Sequence, residues 1–477
     1  MAKLTIRLGA GLSFETPNPK AIDTVRSCLY EMNRVEEINL NPIPRLILEK
    51  IFRDLPKSAP QLHTLCIGVS SDHSFHFVGP AFQIHEDFLY DTERLRRVEL
   101  TNCKISWDSQ LLTGLTRLTL ENSSKENSSI IQVLHALKRM PALTYLRLKD
   151  SIPENSEGLS TYPVVDLPCL RVLHISSDVG PLTTFLRHIN FPHSVILNLT
   201  CKENQSTQID FSKFLSVLAM KFLLSLVIRS LSLQLLDDTD YPQTYGLKFY
   251  LWTTTFAQDC FPLPSSIIPQ SQLQLVLTWP SPRRRNYAKA LSRAFDVMSL
   301  PLLTQLQIST LNWIDSKTWV RTFGKLPLLE LVCVKGYTPH SFLEALVYKT
   351  KAAEQSITAY RNVSFPKLRY IHLQGSDFFE TESNSISVNI LLGYLMERCE
   401  RNAEVWVLRL SDCNYISSDA VERLKEIVVD VIWDGLEQGF SDEEAYCYAS
   451  GDTIDDSVYD PDDDRDGLSS ISEAPIH

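Results

Sequence analysis

Residues 141–148 read Pro141-Ala142-Leu143-Thr144-Tyr145-Leu146-Arg147-Leu148, a proline followed one residue later by Leu-x-x-Leu-x-Leu. The end of the phrase alternates apolar and polar residues, the period of a strand with one buried face. The proline stops the preceding element and removes an amide donor that the start of a strand does not need. The phrase recurs along the chain. Pro60 leads Leu62, Leu65 and Ile67; Pro168 leads Leu170, Leu173 and Ile175; Pro301 leads Leu303, Leu306 and Ile308. Pro327 leads Leu329, Val332 and Val334, and Pro366 leads Leu368, Ile371 and Leu373. Copies without the proline centre on Ile38, Val98, Leu118, Leu231 and Leu408, with weaker ones near Leu197–Leu199 and Leu275–Leu277.

Between these strands the apolar period becomes that of a helix. Ile43, Leu46, Ile47, Ile51 and Leu55 share one predicted helical face. So do Phe211, Phe214, Leu215 and Leu218, and again Leu391, Leu392, Leu395, Met396 and Cys399. Strand and helix alternating under one phrase match the leucine-rich-repeat consensus, with Cys103 and Cys413 in its Asn/Cys position. The expected fold is therefore α/β, a leucine-rich-repeat solenoid over residues 1–433 with a curved parallel sheet on its concave side and helices on its convex side. Central residues fall 27 apart from Ile38 to Leu65 and 33 apart from Leu65 to Val98. Wider gaps predict insertions that loop out around Ser71–Asp87 and Tyr241–Gln270.

At 44% hydrophobic and 22% charged the composition is that of a folded protein, and a repeat core explains how 477 residues avoid splitting into several domains. Met1 to Lys20 alternates apolar and polar residues, unlike a secretory signal. The most apolar region, Phe214 to Leu236, is interrupted by Lys221 and Arg229, which excludes a membrane span and predicts a buried helix followed by a buried strand. Ten cysteines stand singly with no Cys-x-x-Cys, as expected of reduced thiols in the cytoplasm or nucleus. The net charge of −11 is unevenly placed. From Asp434 onward there are fourteen acidic residues and one basic, which leaves 43 acidic and 45 basic in the rest. The body is nearly neutral, and 434–477 reads as an acidic disordered tail.

The stretch Val405–Gly435 joins a repeat, Leu408-Arg409-Leu410-Ser411-Asp412-Cys413, to a helix, Asp419 to Val428, and a closing Val429-Asp430-Val431-Ile432-Trp433-Asp434-Gly435 before the acidic tail. This arrangement, with Met32–Ile67 as a first strand, helix and strand, resembles the repeat region of the large F-box and leucine-rich-repeat proteins of mushroom-forming fungi. The resemblance implies that an F-box docks the adaptor subunit of a cullin ubiquitin ligase while the repeats hold the substrate. Ile43 to Leu55 imitates the start of an F-box, but Pro60-Gln61-Leu62 then opens a repeat strand where an F-box would continue, so no recognisable F-box is present.

Other constellations have plainer readings. Asp462, Asp464, Asp466, Gly467 and Glu473 match a calcium-loop pattern, but Ser469 replaces its aliphatic residue and too few residues follow for an exiting helix. His73, His76 and His85, with Glu86 and Asp87, are spread over one insertion that fixes no metal geometry. Arg283-Arg284-Arg285 is one basic triplet on a near-neutral body, so no nucleic-acid partner is expected. With no phosphate-loop, kinase or nucleophile-elbow motif, no enzyme, catalytic residue, cofactor or metal is expected.

One residue past each central position should point away from the buried face: Asn39, Cys66, Glu99, Thr119, Arg147, His174, Asn198, Ser232, Val276, Gln307, Cys333, His372 and Arg409. Neighbouring outward positions add Tyr145, Lys149, Arg171, Arg369, Tyr370 and Trp406. Arg and aromatic residues favour binding hot spots. The expected site is therefore Tyr145, Arg147, Lys149, Arg171, His174, Arg369, Tyr370, His372, Trp406 and Arg409, contacting a protein partner, and the expected function is non-catalytic protein–protein interaction.

Overall fold

The computed structural model describes residues 3–437 apart from 9–18, 54–55, 71–81, 86–88, 124–127, 155–161, 204–209, 237–244, 259–260, 262–268, 281–283, 299, 310–313, 337–339, 349–362 and 379–386. The acidic tail from 438, with its calcium-like pattern, lies outside the described residues, as do His73 and His76. The first strands are β1 (Leu4–Leu8), β2 (Val35–Ile43), β3 (Thr64–Val69), β4 (Phe82–Ile84), β5 (Arg97–Thr101) and β6 (Cys103–Ile105). They are followed by β7 (Arg117–Glu121), β8 (Tyr145–Lys149), β9 (Val165–Asp166), β10 (Val172–Asp178), β11 (Ile189–Asn190) and β12 (Ile196–Lys202). The remainder are β13 (Ser230–Leu235), β14 (Tyr245–Trp252), β15 (Leu273–Trp279), β16 (Gln305–Ser309), β17 (Leu331–Lys335), β18 (Tyr370–Gln374), β19 (Val407–Ser411) and β20 (Asp430–Trp433). Helices α1 (Pro19–Leu29), α2 (Arg45–Phe52), α3 (Ile130–Lys138), α4 (Val179–Arg187) and α5 (Ser212–Lys221) lie in the first half. Helices α6 (Arg284–Met298), α7 (Ser316–Thr322), α8 (His340–Val347), α9 (Val388–Glu400) and α10 (Ser418–Lys425) lie in the second.

The result is a mixed α/β structure around one sixteen-stranded, mostly parallel sheet, in the order β1-β2-β3-β5-β7-β8-β10-β12-β15-β14-β13-β16-β17-β18-β19-β20. Two apolar columns run across it in unbroken register. One passes from Ile6 through Ile38, Leu65, Val98, Leu118, Leu146, Leu173 and Leu197, and ends at Leu408 and Val431. The other, two residues later, includes Leu40, Ile67, Leu120, Leu148, Leu373 and Leu410. These residues share a single core with the buried faces of the helices. Each such side chain contributes about 1.5–3 kcal/mol on burial, so the sheet is held mainly from this face.

Local chemistry sets where each strand begins and ends. Pro60, Pro141, Pro168, Pro301 and Pro366 occupy the second position of turns closed from Leu62, Leu143, Leu170, Leu303 and Leu368 to the carbonyl three residues back, at 3.1–3.2 Å. Just past the strands, Asn102, Asn122, Asp150, Gly375 and Asp412 take positive φ, 51–63°, which Asn, Asp and Gly tolerate best. A small buried donor follows each of them: Cys103, Ser123, Ser151, Ser376 and Cys413. Cys103 Sγ, Ser151 Oγ and Cys413 Sγ each lie between two carbonyls, that of Thr101, Lys149 or Ser411 on the strand they follow, at 3.3, 2.8 and 3.4 Å, and that of Ile67, Leu120 or Leu373 on the preceding strand of the sheet, at 3.8, 3.1 and 3.5 Å. Burial pushes the Cys413 thiol up to about 11, so it acts as a donor, not as a thiolate.

The centre departs from a simple repeat. After β12 the chain passes through α5 to β13, three places further along, and fills the two places between with β14 and β15 before α6 carries it to β16. Among the described strands, only β14 runs against its neighbours. Part of Tyr241–Gln270, expected to loop out, is thus a strand inside the sheet. Part of the other insertion, β4, pairs with β6 in a separate small ladder. Two predicted helical faces also need correction: Leu46 is 71% exposed while Leu48 is buried, and Met396 is 52% exposed while Arg398 is fully buried.

Arg398 replaces apolar packing with hydrogen bonds. Its guanidinium donates to the carbonyls of Ala403, Leu346, Ser364 and Phe365 at 2.8–3.2 Å, tying α8, α9 and the turn before β18 together. Burial, then Arg369 and Arg401, pulls its pKa down to about 10, so it stays charged at neutral pH. Arg398→Met should therefore leave these carbonyls without their donor and cost about 3 kcal/mol or more in urea unfolding. A second contrast concerns glycines. A Cβ at Gly246 would meet the Leu277 carbonyl at 2.3 Å, whereas one at Gly393, within α9, meets nothing. Gly246→Ala should lose about 1–3 kcal/mol in the same assay and Gly393→Ala should gain up to about 1 kcal/mol.

Candidate partner-binding surface

The outward residues also form a row in register: Asn39, Cys66, Glu99, Thr119, Arg147, His174 and Asn198. The row continues through Gln274, Tyr250, Ser232, Gln307, Cys333, His372, Arg409 and Ile432. Gln274 holds the position expected of Val276, which pairs with Thr200 two residues further on. The row divides into two halves.

From β5 to β12 it is polar and, apart from buried Thr119, partly exposed. Glu99 accepts from Arg97 Nε at 2.9 Å and Arg117 Nε at 3.1 Å, and Arg147 Nε lies 2.8 Å from Glu121. Burial works against the Glu99 carboxylate, but hydrogen bonds and charge from Arg97 and Arg117 win and hold its pKa below the usual range. The Arg117 guanidinium lies 3.8 Å from the centre of the Tyr145 ring, which in turn stands 5.5 Å from His174. His174 is pulled down to about 4 by burial first, then by Arg147 and Arg117. The ring is neutral at pH 7, and Asn198 Nδ2 donates to its Nε2 at 3.2 Å. Arg147, Lys149, His174, Ser176, Asn198, Thr200 and Gln274 line a cavity of about 250 Å³ above these strands. Sequence reasoning selected Tyr145, Arg147, Lys149 and His174, which the structure brings together, and omitted Arg117 and Glu121. Both omitted residues sit two positions from Thr119 on the same face, so alternation was the signal for them.

From β13 to β18 the chain covers its own sheet. Tyr250, Trp252, Leu331, Cys333 and Tyr370 form a second apolar cluster with Phe261, and Phe256 and Val407 pack against it. Gln305 fastens the covering segment: its Oε1 accepts from Phe256 N at 2.8 Å and its Nε2 donates to Phe256 O at 2.7 Å. Tyr370 and His372, expected as partner contacts, are 3% and 2% exposed and so correct that reading. His372 lies beside Ser411, Nε2 to Oγ 2.7 Å. Arg171, Arg369 and Trp406 lie one residue ahead of their strands, in an edge row defined by the amide bonds Arg171 to Thr144, Arg369 to Glu330 and Trp406 to Arg369. Arg409 stays on the face, half-buried.

Among the described residues no group of three His, Cys, Asp or Glu side chains is placed to hold a metal ion, and no helix is long and apolar enough to cross a membrane. Compared with known proteins, the chain matches no family model and no curated sequence.

His372 is likewise depressed to about 4, by burial first and then Arg409. The unfolded chain takes up these protons near the ordinary 6.5, and the folded chain not until near 4. Their contribution is therefore complete above pH 6.5 and is lost as the pH falls toward 4. Urea midpoints should drop between pH 6.5 and 5, by up to roughly 1 kcal/mol per pH unit from His372. His372→Asn should flatten that slope more than His174→Asn, which removes a half-exposed group.

Proposed function

We propose that the chain is a leucine-rich-repeat solenoid with a non-catalytic role, holding another protein on the outward face between β5 and β12. The observation that carries this reading is the contrast within one sheet. The β13–β18 half of the face is covered by the chain's own Phe256 and Phe261, which pack with Tyr250, Trp252 and Tyr370, whereas the β5–β12 half stays polar and uncovered, with ordered aromatic and cationic side chains around a cavity. Ordered Tyr and Arg lose little freedom on binding, which suits them to anchor a partner. The repeat phrases coincide with parallel strands, and an extended face of this kind is how stacked repeats hold large ligands. The resemblance to F-box repeat proteins makes the partner a substrate destined for a cullin ubiquitin ligase; a scaffold with no ligase link is the alternative within the same reading.

The test is affinity purification of the tagged chain from its own cells, with quantitative mass spectrometry of what accompanies it. A stoichiometric partner should fall at least about tenfold in a Tyr145→Ala/Lys149→Glu variant, a loss of about 1.4 kcal/mol or more. It should persist in Lys138→Glu, an exposed change on α3. Cullin and its adaptor among the proteins recovered support the ligase role; their absence beside a face-dependent partner supports the scaffold.

A further inference from the structure

Along the edge row at the starts of β16 to β19, a groove of about 660 Å³ opens between residues 255–258 and the side chains leading into the strands. Its lining combines two chemistries. Lys367 and Arg369 bring positive charge against the one lining carboxylate, Glu330, while Phe256, Tyr370 and Trp406 bring rings. Trp406 is 50% exposed, so its indole face is open to a ligand in the groove. The Arg369 guanidinium lies 4.8 Å from the centre of that indole, and its Nη1 donates to the Glu404 carbonyl at 2.7 Å. A cation and an aromatic face are thus ordered together at the lip of a groove, a setting for a segment that is both acidic and aromatic.

The chain carries such a segment. Phe440-Ser441-Asp442-Glu443-Glu444-Ala445-Tyr446-Cys447-Tyr448 contains three acidic and three aromatic residues in nine, with no basic one. The body fixes where it departs. Asp434 Oδ2 accepts from Asp412 N at 2.6 Å, and Glu437 Oε1 from Ser418 N at 2.8 Å. Both anchors lie at the ends of strands opposite to the groove. The separation is one short strand length and about three strand spacings, roughly 20–25 Å. The residues from Glu437 to Tyr446 can span about 30 Å when extended.

We infer that residues 440–448 dock in this groove within the same molecule, their rings against Trp406 and Phe256 and their carboxylates toward Lys367 and Arg369. A short tether holds the segment at an effective concentration in the millimolar range, so modest contacts suffice, and an acidic aromatic partner must displace it. The inference is independent of the β5–β12 reading, because the two surfaces share no residue.

Hydrogen exchange of the full chain at low salt tests it. Amides of 440–448 should exchange about tenfold or more slowly than in a synthetic peptide of the same sequence. That protection should vanish at high salt and in a Lys367→Glu/Trp406→Ala variant whose β17–β19 amides keep theirs, which shows the sheet intact. Tyr446→Ser/Tyr448→Ser, which leaves every groove residue unchanged, should abolish it as well. Exchange as fast as the free peptide, or protection that survives both variants, overturns the proposal. Protection that grows with protein concentration puts a second copy in the groove and overturns the intramolecular form.

Discussion

The two apolar columns that run through all sixteen strands are the constraint on which the rest of the molecule depends. In a strand the side chains alternate, so a slip of one residue sends a whole column to the other face. Every repeat must therefore deliver its Leu pair at the right height, whatever the length of chain between repeats. The proline turn before the strand and the left-handed residue after it do this. So does the small donor that reaches back to the previous strand: Ser151 Oγ on the Leu120 carbonyl, Cys103 Sγ on that of Ile67. These devices lie within a few residues of the strand, which explains how insertions between repeats are tolerated without disturbing the column.

The excursion through β13, β14 and β15 obeys the same constraint by a different route. Leu251 of β14 runs antiparallel yet still joins the first column, between Leu273 and Leu231. The detour has a consequence on the other face. It supplies Tyr250 and Trp252 as outward residues and the covering segment with Phe256 and Phe261, so this stretch of sheet is buried on both sides. One event in the topology thus divides the outward face into a sealed half and an open half.

This division also explains what could be read from the sequence. The alternating strands, the helices between them and the buried helix and strand of 214–236 are visible because one face is polar. β14 is not, since Tyr245-Gly246-Leu247-Lys248-Phe249-Tyr250-Leu251-Trp252 is buried on both faces and loses its alternation. The same covering hides Tyr370 and His372, which a strand-by-strand reading places outward, correctly, and exposed, incorrectly. Ser151 and Ser376 share the role of Cys103 and Cys413, and Ser123, which bonds back to Glu121 of its own strand, holds the same position, but the consensus names Asn or Cys there. An Asn, Asp or Gly followed by Ser or Cys directly after the strand would have shown all five. Arg398 could not be read at all, because four carbonyls from three segments converge on it only after folding.

Charge shows the limit of reading a face residue by residue. In the sequence the strands around Arg147 form a basic stripe, yet Glu99 holds both Arg97 and Arg117, and Glu121 holds Arg147. These pairs are partly exposed, so each adds little to stability. Their larger effect is on order: they fix the planes of three guanidiniums, and one of these lies against Tyr145. Two carboxylates set against Arg97, Arg117 and Arg147 reduce the positive charge of this part of the face without cancelling it, and His174 is neutral and adds none. Beside that charge it offers short-range fit to an ordered array of rings, amides and hydroxyls, where a misplaced partner leaves polar groups unpaired. In the groove beside Trp406, too, Lys367 and Arg369 outnumber the single carboxylate, Glu330, that lines it, but there the excess charge stands against an exposed indole, so that charge and ring together select what binds.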